Sequence, residues 1–136
     1  MNVELNTFFR SKMNAAALTY NGEPLGIVFP FDNHSGTGAY AETSLFTAQP
    51  TQEEIGFQAA QQVEGYYQVI FNLPDTDLGL HYNLNTLADA LTPAFPRQSY
   101  QENFGKIEIH SIERLNPLRI GGKASMTCRI HYRFIG

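Results

Sequence analysis

The chain has 136 residues, 43% of them hydrophobic and 16% charged, and a formal net charge of −4. That length and balance predict one globular domain over residues 1–136 and exclude a disordered chain. The single cysteine, Cys128, excludes an intrachain disulfide, and no apolar run approaches the about 20 residues of a membrane span.

In chain order, Leu5, Phe8, Phe9, Met13, Ala16 and Ala17 recur at helical spacing, which predicts a first helix. The Asn21-Gly22 pair, with Pro24 behind it, is expected to end that helix. The start of the chain, MNVELNTFFRSK, lacks the basic opening and apolar block of a signal peptide, so assembly in a cytoplasm is expected. Leu25 to Phe29 reads as a short strand stopped by Pro30, and residues 31–39 as a loop. Residues 40–48, YAETSLFTA, read as a half-buried strand, and 50–62 as a mobile loop or hairpin tip. Residues 65–73 form a strand with Tyr67, Val69, Phe71 and Leu73 on one side.

Leu80, Leu84, Leu87, Ala88 and Leu91 then mark a strongly amphipathic helix. Asp75 and Asp77 suit its N-terminus, where the helix dipole favours negative charge, and Pro93 and Pro96 close it. A polar loop, RQSYQENFG, leads to KIEIHSIERL, in which Ile107 and Ile109 share a face while Ile112 falls on the other. That slip predicts a bulge at His110 or Ser111. Asn116-Pro117 and Gly121-Gly122 bracket a connection before a last strand over 124–135. The order predicts an α+β fold, a mostly antiparallel β-sheet with two α-helices packed on one face.

The closing segment ASMTCRIHYRFIG crowds Cys128, His131 and two arginines together and invites a metal or thiolate–imidazole reading. Strict alternation of Met126, Cys128, Ile130, Tyr132 and Phe134 with Arg129, His131 and Arg133 argues otherwise, because residues three apart on a strand point to opposite faces. Cys128 is expected to be a small buried apolar residue. Loop HSGTG (34–38) has glycines but no phosphate-loop lysine, and Asp32, His34 and Ser35 lack the geometry of a catalytic triad. The histidines at 34, 81, 110 and 131 show no metal-ligand spacing. No catalytic residue, metal site or cofactor site is expected, and the chain is not expected to be an enzyme.

Charge is uneven. Residues 1–96 carry two basic side chains against ten acidic ones, and residues 97–136 carry seven against three. Internal pairing or head-to-tail contact between copies would each use that asymmetry. The basic stripe Arg129, His131 and Arg133 is either a solvated face or a surface for acidic partners or passing phosphates. So few cations exclude tight sequence-specific DNA binding.

One stretch goes further. EGYYQVIFNLPDTDLGLHYNLNTLADALTPAFP, residues 64–96, resembles the middle of the tail terminators of long-tailed bacteriophages. Gly65, Tyr67, Gln68, Val69, Phe71, Pro74, Leu87, Ala88, Asp89, Phe95 and Pro96 carry the likeness, with the long connection at 31–39 as the clearest departure. The resemblance implies a structural protein of the virion, a homohexameric ring on the head-proximal end of the tail tube. Such a ring stops tube growth and offers a docking surface to head-completion and connector proteins, while DNA passes through its lumen with only transient contact. No membrane is involved. On that reading loops 31–39 (Asp32, Asn33, His34) and 50–62 (Gln52) are the expected axial contacts. Arg129, His131 and Arg133 would meet a neighbouring subunit, with Glu53 and Glu54 as one source of acid. The alternatives are another head–tail connector, a tail-tube subunit, or a small ligand-binding or enzymatic α+β domain.

Overall fold

A computed structural model describes residues 2–30, 38–48, 51–52 and 61–136. Leu5, Phe9 and Met13, spaced by four, form the buried stripe of helix α1 (Asn2–Ala15). The helix stops six residues short of the expected Asn21-Gly22. Ala17 adopts a left-handed backbone (φ 49°), and β1 (Thr19–Tyr20) then pairs with β2 (Glu23–Pro24). Asn21 (φ 53°) and Gly22 (φ 80°) are the two central residues of that hairpin, a role that requires positive φ at both. The pair therefore turns a hairpin; it does not end the helix.

Strands β3 (Gly26–Val28), β4 (Tyr40–Thr47), β5 (Thr51–Gln52) and β6 (Gln61–Pro74) precede helix α2 (Leu80–Ala94). After it come β7 (Ser99–Glu102), β8 (Gly105–Arg114), β9 (Leu118–Ile120) and β10 (Lys123–Ile135). The sheet order is β3-β4-β6-β10-β8-β7, with β5 beside β6 and β9 beside β10. Only β3 and β4 run parallel among the described strands. The spine is the antiparallel pair β6–β10, in continuous register from Lys123 opposite Pro74 to Ile135 opposite Gln62.

Val63, Tyr67, Val69, Phe71 and Leu73 of β6 and Ala124 to Phe134 at alternate positions of β10 are buried on one face. Leu5, Phe9 and Met13 of α1 join the same core, as do Leu84, Leu87, Ala88 and Leu91 of α2. At its centre the Phe9 ring stacks on Tyr67, 4.8 Å between centroids and 10° from parallel, and touches Tyr132 and Phe95. The fold is the expected α+β arrangement, with both helices on the inner face.

Several sequence expectations need correction. The polar stretch 97–105 contains a strand, β7, because its hydrogen bonds are taken up by β8 at Ser99–Glu108 through Glu102–Gly105. The connection before the last strand holds β9, with Gly121 (φ 58°) and Gly122 (φ 78°) turning directly into β10. Residues 51–52 and 61–62 are a paired hairpin stem, which narrows the predicted loop 50–62. Asp75 and Asp77 precede α2, whose first turn holds no acidic residue. Gly79 is the N-cap, with a left-handed backbone, while Asp77 accepts a hydrogen bond from the Tyr20 hydroxyl at 2.5 Å. Pro93 lies inside the last turn of α2, and does not close it.

Candidate functional site

The outer face of the sheet carries the stripe singled out in the sequence. Alternation along β10 puts Ser125, Thr127, Arg129, His131 and Arg133 there, away from the helices, and Cys128 on the other side. Burial pushes the Cys128 thiol up to about 11, so it is protonated at neutral pH and is neither nucleophile nor ready metal ligand. Among the described residues no three His, Cys, Asp or Glu side chains converge as a metal site.

Each member of the stripe has a partner in its own chain. Arg133 Nε donates to Glu108 Oε1 at 2.9 Å, and Lys106 Nζ lies 3.5 Å from the same carboxylate. The Arg133 hydrogen bond above all holds the Glu108 carboxyl below the usual carboxylate range. His131 Nε2 lies 3.0 Å from Glu113 Oε1. Arg129 Nε donates to Gln68 Oε1 at 3.2 Å, and its guanidinium sits 4.8 Å from the centre of the Tyr66 ring. The acids come from the basic C-terminal segment itself, not from the acidic first 96 residues. Glu53, Glu54, Asp32, Asn33 and His34 lie outside the described residues. Gln52 is placed by its backbone in the β5–β6 stem, opposite Gln61.

Sequence reasoning missed Glu108 and Glu113 as partners, although it held the clue. Five residues apart on a regular strand, they would point to opposite faces. The expected bulge is present at His110: Ser111 pairs with His131 while Ile109 pairs with Tyr132, leaving His110 unmatched. That extra residue returns Glu113 to the outer face beside Glu108.

Phe46 of β4 was also missed. Its ring stacks on Tyr66 at 4.9 Å, and Tyr66 in turn tilts against His131 at 5.8 Å. Phe46, Tyr66, His110, His131 and Arg133 line an open trough of about 660 Å³ across the outer face. Gly65 fixes the edge of that trough. A Cβ there would stand 2.0 Å from the Phe46 carbonyl oxygen, so only glycine admits the close β4–β6 approach.

The sheet has two distinct ends. At the Lys123 end of β10, the Gly122 carbonyl accepts the Asp75 amide (3.1 Å), and β4 begins at Tyr40, whose hydroxyl takes a hydrogen bond from Lys123. That contact raises the Lys123 pKa. Leu78, Tyr82, Leu118 and Ile120 are exposed there, at 91%, 74%, 61% and 66%. At the Ile135 end lie the close of β4, the β5–β6 stem and the β7–β8 turn.

No family model matches the chain, and no curated protein does. One solved structure, which bears no functional name, is similar over 98% of this chain and 95% of its own, with a TM-score of 0.77 and 14% identity. What the two share is the fold.

Proposed function

We propose that the chain is a ring-forming structural subunit, a tail terminator of a long-tailed bacteriophage that caps the tube and receives the head-completion proteins. The reading comes from the 64–96 motif, and one structural observation supports it best. Strand β4 starts at Tyr40 at the Lys123 end, whereas its close at Thr47 and the β5–β6 stem lie at the Ile135 end. A terminator meets different partners above and below, and the described strands give the two ends of the sheet different elements.

The paired outer face also fits the role. With Arg133 and His131 beside Glu108 and Glu113 and Arg129 held by Gln68 and Tyr66, the face presents little free positive charge, so DNA would slide past it and not stick. Lateral contacts between copies are expected to be heterologous, one surface meeting a different one, as ring closure requires.

Sedimentation of the purified protein across a wide concentration range and two salt levels tests the ring. A discrete species near six subunits with nothing larger is the expected result. Open-ended polymers would transfer the chain to the tube subunits. Adding the protein to growing tail tubes tests the cap: growth is expected to stop, and tubes of unchanged length would overturn the terminator assignment.

A further inference from the structure

Of the ten asparagines only Asn21 precedes a glycine. Asn21 and Gly22 are the exposed central residues of the β1–β2 hairpin, and a Cβ on Gly22 would meet nothing within 4 Å. Two paired positions close the hairpin, Thr19 with Pro24 and Tyr20 with Glu23, and behind them the Leu25 amide donates to the Leu18 carbonyl at 2.9 Å. So short a hairpin is marginal on its own and opens locally at little cost. Tyr20 ties it to α2. Its hydroxyl donates to Asp77 Oδ2 at 2.5 Å, just before the helix, and Asn83 Nδ2 of the helix lies 3.5 Å from it. Burial first, and then Asp77, raises the Tyr20 pKa, while the Asn83 and Asn21 side chains lower it, so Asn21 reaches the same hydroxyl.

We propose that Asn21 is a self-modification site, where the Gly22 amide turns the side chain into a carboxylate and so releases the Tyr20 clasp on α2. Gly22 N bonds to Asn21 Cγ, the Cγ–Nδ2 bond breaks, and ammonia leaves with the proton that Gly22 N gives up. Water then opens the cyclic imide at either carbonyl, giving aspartate or isoaspartate. Water is the only other reactant, and nothing is oxidised or reduced. Glycine at 22 admits the attack because no Cβ crowds its nitrogen. Every other asparagine is followed by a bulkier residue, and Asn116 by a proline that has no N–H to give up. Either product acts on the clasp. A carboxylate at 21 accepts hydrogen bonds and donates none, so it and Asp77 would stand as like charges around one hydroxyl proton. Isoaspartate lengthens the backbone by one atom, which a two-residue turn in fixed register does not absorb. The clasp lies at the Lys123 end of the sheet, where the Asp75 amide donates to the Gly122 carbonyl, so the conversion acts on that end of the subunit.

Incubating the folded full chain in mildly alkaline heavy-oxygen water, followed by mass mapping of its peptides, tests the site. A free peptide of residues 18–25 is the control for the chemistry. Loss of ammonia and uptake of the oxygen label are expected at Asn21 and at none of the other asparagines. An Asn21 that stays intact in the folded chain while the peptide reacts to completion would overturn the proposal. Tyr20→Phe, which removes the clasping hydroxyl, is expected to raise the rate at Asn21 several-fold, and an unchanged rate would overturn the link between turn and clasp. Hydrogen exchange reads the release. The Leu25 amide and the start of α2 are expected to lose protection in the converted protein and equally in Asn21→Asp, with unchanged circular dichroism. Conversion that leaves both as protected as before would overturn the release.

Discussion

Strand β10 shows its two faces side by side. On the inner face Ala124, Met126, Cys128, Ile130, Tyr132 and Phe134 are all at most 5% exposed and meet two helices. On the outer face the intervening residues are half-exposed and meet polar and charged neighbours from β6 and β8. The inner face draws its stability from removing apolar area from water, at about 1.5–3 kcal/mol per fully buried large side chain. The outer face draws little, because exposed or half-exposed ion pairs are worth at most about 1 kcal/mol each. The inner face thus accounts for the fold, and the outer face for which charges are left to meet a partner.

Phe9→Ala tests the inner face hardest. The ring is fully buried and touches Tyr67, Phe95 and Tyr132, so its loss opens a cavity at the junction of α1 with the sheet. Denaturant unfolding is expected to show a loss of about 3–5 kcal/mol. A loss below about 1 kcal/mol would mean that α1 contributes little to the core, and the comparison would fail on its stronger side.

Gly65→Ala comes next, expected to cost about 1–3 kcal/mol by the same measurement, because β4 must move to admit the new Cβ. Tyr67→Phe should go the other way. Tyr67 is 1% exposed, and among the described residues its hydroxyl has no well-formed hydrogen bond: Thr43 stands nearby and tempers the effect of burial, with its own hydrogen given to the Val28 carbonyl at 3.3 Å. Burial accordingly raises the phenol's pKa. Removing the stranded hydroxyl is expected to leave stability unchanged or raise it by up to about 1 kcal/mol. A loss above that would show that the hydroxyl has a bound water as partner.

These cases also separate what the sequence disclosed from what it did not. The alternation of β6 and β10 and the leucine spacing of α2 are local periodicities, and they placed the core correctly. The bulge at His110 was readable because the Ile107, Ile109, Ile112 series breaks its own period. β7 was not readable, since SYQE has no apolar alternation and owes its strand form to pairing with β8. Asn21-Gly22 was misread for a related reason: the same pair ends helices and turns hairpins, and only the return of Glu23–Pro24 along Thr19–Tyr20 decides between them. At the candidate site the members of the basic stripe were legible from their alternation along the last strand, but their partners were not. Cross-strand neighbours depend on register, and register here depends on a single inserted residue.

The smallest expected effect sharpens the outer side of the comparison. Arg133→Ala should cost less than about 1 kcal/mol at neutral pH, but it should also change how stability responds to acid. Because Arg133 holds the folded Glu108 carboxyl below its ordinary value near 4.5, the folded state binds that proton less readily than the unfolded chain does. The contribution is therefore fully present above the unfolded pKa and is lost as pH falls through the folded one. Unfolding curves collected from pH 6 down to pH 3 should show wild type and Arg133→Ala converging at the acid end. Lys106 at 3.5 Å and His110 at 4.0 Å still face Glu108 in the variant, so its own acid slope shrinks without vanishing. Parallel curves over the whole range would mean that the pair is not formed in solution. Arg133 would then be available to a partner after all, and the outer face would have to be reconsidered as a docking surface.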